Sequence, residues 1–347
     1  MRMIKELSIV KNPDLLDETY IPANVPVRES HIRELANCLM PALKNKKPVH
    51  AWLHGRPGTG KTLTSKFILR KINNEAYVNG VYINCWEHNS YYSVLDKLVR
   101  ELRILGAEKL NTSFKLERLE NHLRRKPFVI VLDEIDLPKK IERDSIIYNL
   151  CNIGNVGLIC VCNSRSVLYS MDERIRSRLN ARLLEFNHYN ESDLVFILRR
   201  RAELALNPAS WSEKILEMIA ELAEGDARVA IQTLKKAAYN AENDFSERIR
   251  SKHIKDGYNS VRQIKKTYIL NKLTSHHRLL FDLVKERKNI HSGQLWKAYL
   301  EKCASLDKRP IALRTFSEYM NKLIELDLIQ WDRALVKGKV RVFKIPN

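Results

Sequence analysis

Within "HGRPGTGKTL" the chain sets Gly55-x-x-x-x-Gly60-Lys61-Thr62, residue types and a spacing that can hold a polyphosphate. Glycines let backbone N–H groups close around phosphate oxygens, and a helix opening at Lys61 adds the positive end of its dipole. Gly55, Pro57, Gly58, Thr59, Gly60, Lys61, Thr62 and Leu63 form the expected nucleotide-contact set. Lys61 is expected to reach the β- and γ-phosphates, and the Thr62 hydroxyl to ligate Mg²⁺. "FVIVLDEID" supplies the second half. A strand ending in Asp133-Glu134 puts Asp133 near the metal and Glu134 where it can polarise a water against the γ-phosphate. Asn163, at the end of "LICVCNS", can orient that water. The chemistry is ATP hydrolysis to ADP and phosphate.

These residues need strand tips on one edge of a sheet, and the sequence provides them. Apolar runs at "VHAWLH", "AYVNGVYINCW", "FVIVLDEID", "VGLICVCNS" and "ARLLEF" are separated by amphipathic stretches such as "TLTSKFILRKI" and "YYSVLDKLVRELRIL". Nearly continuous apolar strands between helices predict a parallel sheet covered on both faces, an α/β core over residues 1–185. Residues 186–262 read as helical throughout: "ESDLVFILRRRAELAL", "WSEKILEMIAELAEG" and "DARVAIQTLKKAAYNAE" each carry a 3.6-residue stripe. Ser212 and Glu213 mark a helix start and Gly225 a stop.

Residues 263–347 read as a third unit, with helical patterns near 272–287, 292–304 and 312–326 and short strands at "DLIQWDR" and "KVRVFKI". That order predicts a winged helix, a helix-turn-helix variant that places its last helix in the major groove. In "ALRTFSEYMNKLIELD", Phe316, Met320, Leu323 and Ile324 should face the core, which turns Arg314, Ser317, Glu318 and Asn321 outward toward base edges. Lys337, Lys339 and Arg341 alternate with Val340 and Val342, so the three cations share a strand face suited to phosphates. Arg309, before the last helix, completes the expected DNA-contact set.

Composition agrees with that partner. The net charge is +19 with Lys+Arg at 60, and the third unit is the most densely basic. Such a field recruits a polyanion, nucleic acid before membrane. "MRMIKELSIVKNPD" lacks the apolar core of a signal peptide and no run is long enough to span a bilayer, so a cytoplasmic, nucleoid-associated protein is expected. The six cysteines show no CxxC pairing, and Cys160 and Cys162 in "GLICVC" read as buried strand residues.

Three further features complete the pattern. "MDERIRSRLN" sets Arg174 and Arg178 four apart on one helical face; "FNHYNESDLVFILRRRA" carries Tyr189 and Arg201; "GDARVAIQTL" opens a helix with Arg228. Together with "YIPANVPVRESHIRELA", "GRPGTGKT", "VYINCWEHNSYYSVLDKL", "VLDEID", "CNS" and "ALRTFSEYMNKLIELDLI", the chain from about residue 15 onward resembles AAA+ ATPases of the archaeal origin-recognition/helicase-loading (ORC-type) initiator family. The resemblance implies an AAA+ P-loop core, an all-α lid and a C-terminal winged helix. It implies that Tyr189 and Arg201 contact ATP or ADP at the hinge, with Tyr189 able to stack on adenine and Arg201 to compensate phosphate charge. Arg228 would sense the γ-phosphate in cis, and Arg178, or else Arg174, would be an arginine finger for a neighbour's site. "MDERI" lacks the proline the family usually carries before that arginine, and "FNHY" replaces a proline-rich turn. The implied partners are double-stranded origin DNA, the replicative helicase, and a second copy or paralogous initiator on DNA.

No pore loop or translocating module is visible in the sequence, and the segment after the lid is a compact basic unit. A lone subunit also lacks the finger at its own site, which slows phosphoryl transfer by ~10³ or more. The reading is therefore an ATP-held switch rather than a motor. Three alternatives stand beside it: an ATP-responsive winged-helix transcription regulator, a clamp-loader-like subunit, and a plain DNA-binding protein whose ATPase core is structural.

Overall fold

A computed structural model of the 347-residue chain describes residues 8–74, 78–107, 110–326, 328–333 and 341–345. Lys337 and Lys339 lie outside the described residues. The chain forms two compact units, Met1–Tyr258 and Asn259–Asn347.

In the first unit α1 (Glu29–Leu43) precedes β1 (Ala51–His54), α2 (Lys61–Asn73), β2 (Asn79–Asn84), α3 (Tyr91–Glu101), α4 (Thr112–Leu123) and β3 (Phe128–Asp133). Then come α5 (Lys140–Cys151), β4 (Val156–Cys162), α6 (Ser166–Tyr169), α7 (Glu173–Leu179) and β5 (Arg182–Glu185). The five strands form one parallel sheet in the order β2-β3-β4-β1-β5, so each of the five apolar runs is a strand. Burial follows position in the sheet. Every residue of β1, β3 and β4 is buried, as central strands between two helical layers must be, while β2 and β5 at the edges are mixed.

Alternate residues enter opposite cores. Ile130 and Leu132 of β3 with Leu158 and Cys160 of β4 pack against α3, α4 and α5, while Val129, Val131, Ile159 and Val161 pack against α1 and α2. All six cysteines are buried free thiols. His50, just ahead of β1, accepts the Leu158 N–H at Nδ1 (2.9 Å). Burial, then the nearby Lys47, brings its ring down to about 4. The acceptor geometry requires the neutral form.

Helices α8 (Glu191–Ala205), α9 (Glu213–Ala223) and α10 (Ala227–Asn243) make the helical layer. The helix stop predicted at Gly225 is a two-residue left-handed cap, Glu224 (φ 48°) and Gly225 (φ 84°). Ser212 holds the predicted N-cap position of α9, but its side chain makes no capping bond. The 1–185 boundary misses one feature. Ile9 and Leu16 are buried in the helical layer's core with Leu194, Leu198 and Leu234, and Val10 bridges to Leu206. The N-terminal strap therefore packs with the lid because its apolar residues find their burial there.

The second unit begins within α11 (Ser251–Lys272), so the boundary expected at 262/263 lies inside a continuous helix. It continues with α12 (Ser275–Arg287), β6 (Asn289–His291), α13 (Ser292–Ser305), α14 (Leu313–Glu325), β7 (Gln330–Arg333) and β8 (Arg341–Lys344). Its sheet is antiparallel in the order β6-β8-β7, with one more strand than the two expected. β6 is three residues, "NIH", too short to show a period. Trp296, Tyr299, Phe316 and Met320 gather in its core.

Candidate functional site

Three parallel strands end on the same edge of the sheet, and the chain leaves each tip carrying a polar group. From β1 it turns through residues 55–60 into α2. Gly55, Gly58 and Gly60 sit at φ of 149°, 77° and 87°, regions that other residues enter at a cost. Each glycine also lies against the hinge or the lid. A Cβ would fall 2.2 Å from the Phe186 carbonyl oxygen at Gly55, 1.9 Å from Asp226 Oδ1 at Gly58 and 2.5 Å from the Tyr189 hydroxyl at Gly60. The Ala227 N–H donates to the Gly58 carbonyl (3.2 Å). The loop's glycines thus serve phosphate access and lid packing at once.

Lys61 is buried, and its Nζ donates to the carbonyls of Gly55 (2.6 Å) and Arg56 (2.8 Å) at the mouth of the loop. Burial lowers its pKa. Thr62 Oγ1 donates to Asp133 Oδ2 at 2.8 Å, and the Tyr82 hydroxyl donates to the same oxygen at 2.7 Å. Burial first, then the Asp133 charge, pushes the Tyr82 phenol up, so it remains a donor. The next residue, Glu134, sits at φ 54° and its N–H donates to Asp133 Oδ1. That left-handed step turns its side chain off the strand line, and Glu134 lines the same cavity as Lys61, Thr62, Asp133 and Asn163. Thr62 and Asp133 bring two hard oxygens together, a pairing that suits Mg²⁺ completed by phosphate oxygens and water.

The cavity is ≈ 860 Å³. Its apolar wall comes from Ile21, Pro22 and Val25 of the strap and Ile197 and Ile231 of the lid helices, a base-sized surface that no contiguous motif announces. The three residues assigned to the nucleotide by resemblance, Tyr189, Arg201 and Arg228, all line this cavity, and Arg228 Nε lies 3.5 Å from Glu18 Oε2.

Tyr189 and Arg201 also make contacts that the sequence does not announce. Tyr189 is 5% exposed and carries the Arg28 guanidinium 4.0 Å from its ring centroid, so one of its faces is already covered. Arg201 is buried and donates to the carbonyls of Leu15, Asp17 and Tyr20. These three bonds tie the strap to α8.

Arg28 is the residue that the sequence reading missed. It is 5% exposed, donates from Nε to Thr59 O (3.0 Å) and from Nη2 to Asn187 O (2.7 Å), and stacks on Tyr189 and Phe186. One guanidinium thus ties phosphate loop, hinge and strap. It lies within "YIPANVPVRESHIRELA", a segment that carries the family resemblance, but the sequence reading gave it no role.

Arg174 and Arg178 lie on α7, and neither lines the cavity of its own chain. Arg178 donates to Asn152 Oδ1 (2.7 Å) and sits over the Tyr148 ring; both arginines are exposed. In the second unit, α14 buries Phe316, Met320 and Leu323, half-buries Ile324 and exposes Arg314, Ser317, Glu318 and Asn321, as its spacing predicts. Arg309 is exposed in the turn before it. Arg341 on β8 donates to Asn321 Oδ1 (3.1 Å) and lies over Trp331, so β8 and α14 meet through two residues expected to contact DNA.

Residues 46–168 match the AAA domain family and residues 195–259 the Cdc6 AAA+ ATPase-type lid domain. The chain is 30% identical to an ORC1-type DNA replication protein of Pyrococcus abyssi, over 97% of this chain and 87% of that protein. The chain belongs to this family. The ORC1-type DNA replication protein 1 of Sulfurisphaera tokodaii is 28% identical over 92% of this chain and 85% of that one. Among solved structures, the Aeropyrum pernix ORC1 protein in complex with DNA aligns with a TM-score of 0.82 at 28% identity, covering 97% of this chain and 94% of that one. As an ORC1-type protein the chain is an AAA+ P-loop ATPase with a Cdc6-type lid. Among the described residues no helix is long and apolar enough to cross a membrane.

Proposed function

We propose that this ORC1-type protein is a replication initiator that binds double-stranded origin DNA through its second unit, helps recruit the replicative helicase, and uses slow ATP hydrolysis as a switch. It would act in the cytoplasm at the nucleoid. The observation that carries the reading is the packing of all three phosphate-loop glycines against the hinge and lid. A nucleotide held by that loop would lie beside elements that also carry Arg228, which supports a switch that couples occupancy to the lid. The DNA-bound relative from Aeropyrum pernix supports the duplex as partner.

In the hydrolytic step the water oxygen bonds to the γ-phosphorus, the bond to the β,γ-bridging oxygen breaks, and the water's proton passes to the Glu134 carboxylate. Lys61 neutralises phosphate charge; Asn163 holds the water. Thr62 and Asp133 would hold Mg²⁺, which when bound neutralises charge on the phosphates. Arg174 is the better finger for a neighbouring subunit, because Arg178 is engaged by Asn152 and Tyr148. Without that neighbour, hydrolysis is slow and the ATP state persists.

Footprinting on genomic fragments tests the reading together with turnover of Glu134→Gln. Selection of replication starts, with ATP bound but not hydrolysed by the variant, is the expected result. Selection of promoters instead points to a transcription regulator, and wild-type hydrolysis by Glu134→Gln removes the assigned base.

A further inference from the structure

Beyond β3 the chain folds back in a tight turn, with the Leu137 N–H donating to the Glu134 carbonyl and the Ile135 N–H to Val161 O of β4. The turn divides the acidic motif between two tasks. Glu134 faces the cavity, whereas Asp136 faces the tip of β4, where Asn163 begins. Asp136 Oδ2 accepts two hydrogen bonds from this one residue, from the Asn163 backbone N–H and from its side-chain Nδ2, both at 3.3 Å. Asp136 Oδ1 is buried with no hydrogen-bond partner among the described residues. Burying a carboxylate oxygen in this way is costly, and a turn of this kind does not require it.

We infer that Asp136 is a positioning residue for hydrolysis: it fixes the amide of Asn163 with Nδ2 inward, so that Oδ1 is the atom left for the attacking water. The inference rests on the proposed ATPase reading of the site. An ionised carboxylate only accepts hydrogen bonds, so the amide edge facing it must be the NH₂ edge. An amide free to flip would present donors to the water as often as an acceptor. A donor at that place engages the oxygen lone pair that must attack phosphorus. An acceptor takes one O–H and leaves the lone pair free, while the other O–H goes to Glu134. Asp136 acts on the reaction only through Asn163, and both bonds to Asn163 converge on one oxygen.

The test uses the full chain with Mg²⁺-ATP. Turnover is counted per nucleotide site titrated in the same preparation, so misfolded chains drop out, and Kd is measured with a fluorescent ATP analogue. Asp136→Ala is expected to lower kcat by about tenfold or more, as loss of a positioning contact does, with Kd within about twofold. Asp136→Asn keeps one acceptor oxygen and is expected to recover most of that loss. In an Asn163→Ala background, Asp136→Ala is expected to cost nothing further. Wild-type kcat in Asp136→Ala, a loss carried by Kd, or additive losses in the double variant would each overturn the inference. Glu134→Gln run alongside separates the two readings. If it hydrolyses ATP normally the ATPase assignment fails; if it and Asn163→Ala are inactive while Asp136→Ala is not, only the role of Asp136 fails.

Discussion

Replacing Gly58 with alanine perturbs the phosphate loop and the lid together, and the structure gives each part a size. Gly58 sits at φ 77°, where a side chain costs about 1–2 kcal/mol. The new methyl would lie 1.9 Å from Asp226 Oδ1, so that carboxylate must move. It caps α10 by accepting the N–H groups of Arg228 (3.0 Å) and Val229 (3.2 Å), and losing such a cap costs about 1 kcal/mol. The total is about 2–3 kcal/mol, of which the cap share is confined to the first turn of α10. Hydrogen exchange resolves it there: protection of the Arg228 and Val229 amides should fall about fivefold, the equivalent of about 1 kcal/mol. Asp226→Ala alone should produce the same fall, and adding Gly58→Ala to it should produce none beyond it. Wild-type protection of those amides in Gly58→Ala, or a further fall in the double variant, would refute the coupling of loop to lid through this contact.

Three other outcomes are expected. Because the His50 ring stays neutral in the fold down to about 4 against 6.5 for the free side chain, its contribution is complete above pH 6.5. As pH falls from there the unfolded chain gains the proton first, so roughly 3 kcal/mol is lost by about pH 4; His50→Gln should flatten that limb of a urea-denaturation series. Mixing Arg174→Ala with Lys61→Ala protein should raise DNA-stimulated hydrolysis above the sum of the two alone, because each retains the half the other lacks. Arg178→Ala should hydrolyse ATP by itself, and complementation by Arg178→Ala instead would reassign the finger. Arg341→Ala should lower the slope of log K against log[salt] for duplex binding by about 0.9. It should also weaken site discrimination, because Arg341 holds Asn321; an unchanged slope would show that Arg341 does not touch the DNA backbone.

Sequence alone determined those features whose physics is local. Five strands were readable because continuous apolar runs of β-length, bounded by turns, can only be buried from both sides. Gly55 through Thr62 declared a phosphate loop because backbone geometry there depends on glycine, and the outward face of α14 came from the 3.6-residue period. What tertiary structure decided concerns residues whose partners are far off in the chain. Arg28 meets Asn187 across 159 positions, and Arg201 meets Leu15 across 186. Neither pairing leaves a trace in spacing, because the acceptors are backbone carbonyls, which every residue carries. The resemblance gives Arg201 a nucleotide contact, and only the tertiary structure shows that it also anchors the strap. The N-terminal strap was assigned to the core by proximity in sequence, yet Ile9 and Leu16 are buried in the lid's core. Asp136 looked like one more acid in "VLDEID" until the turn after β3 set it against Asn163. A motif names the groups that touch the nucleotide, but the groups that hold those groups are chosen by the packing of the chain around them.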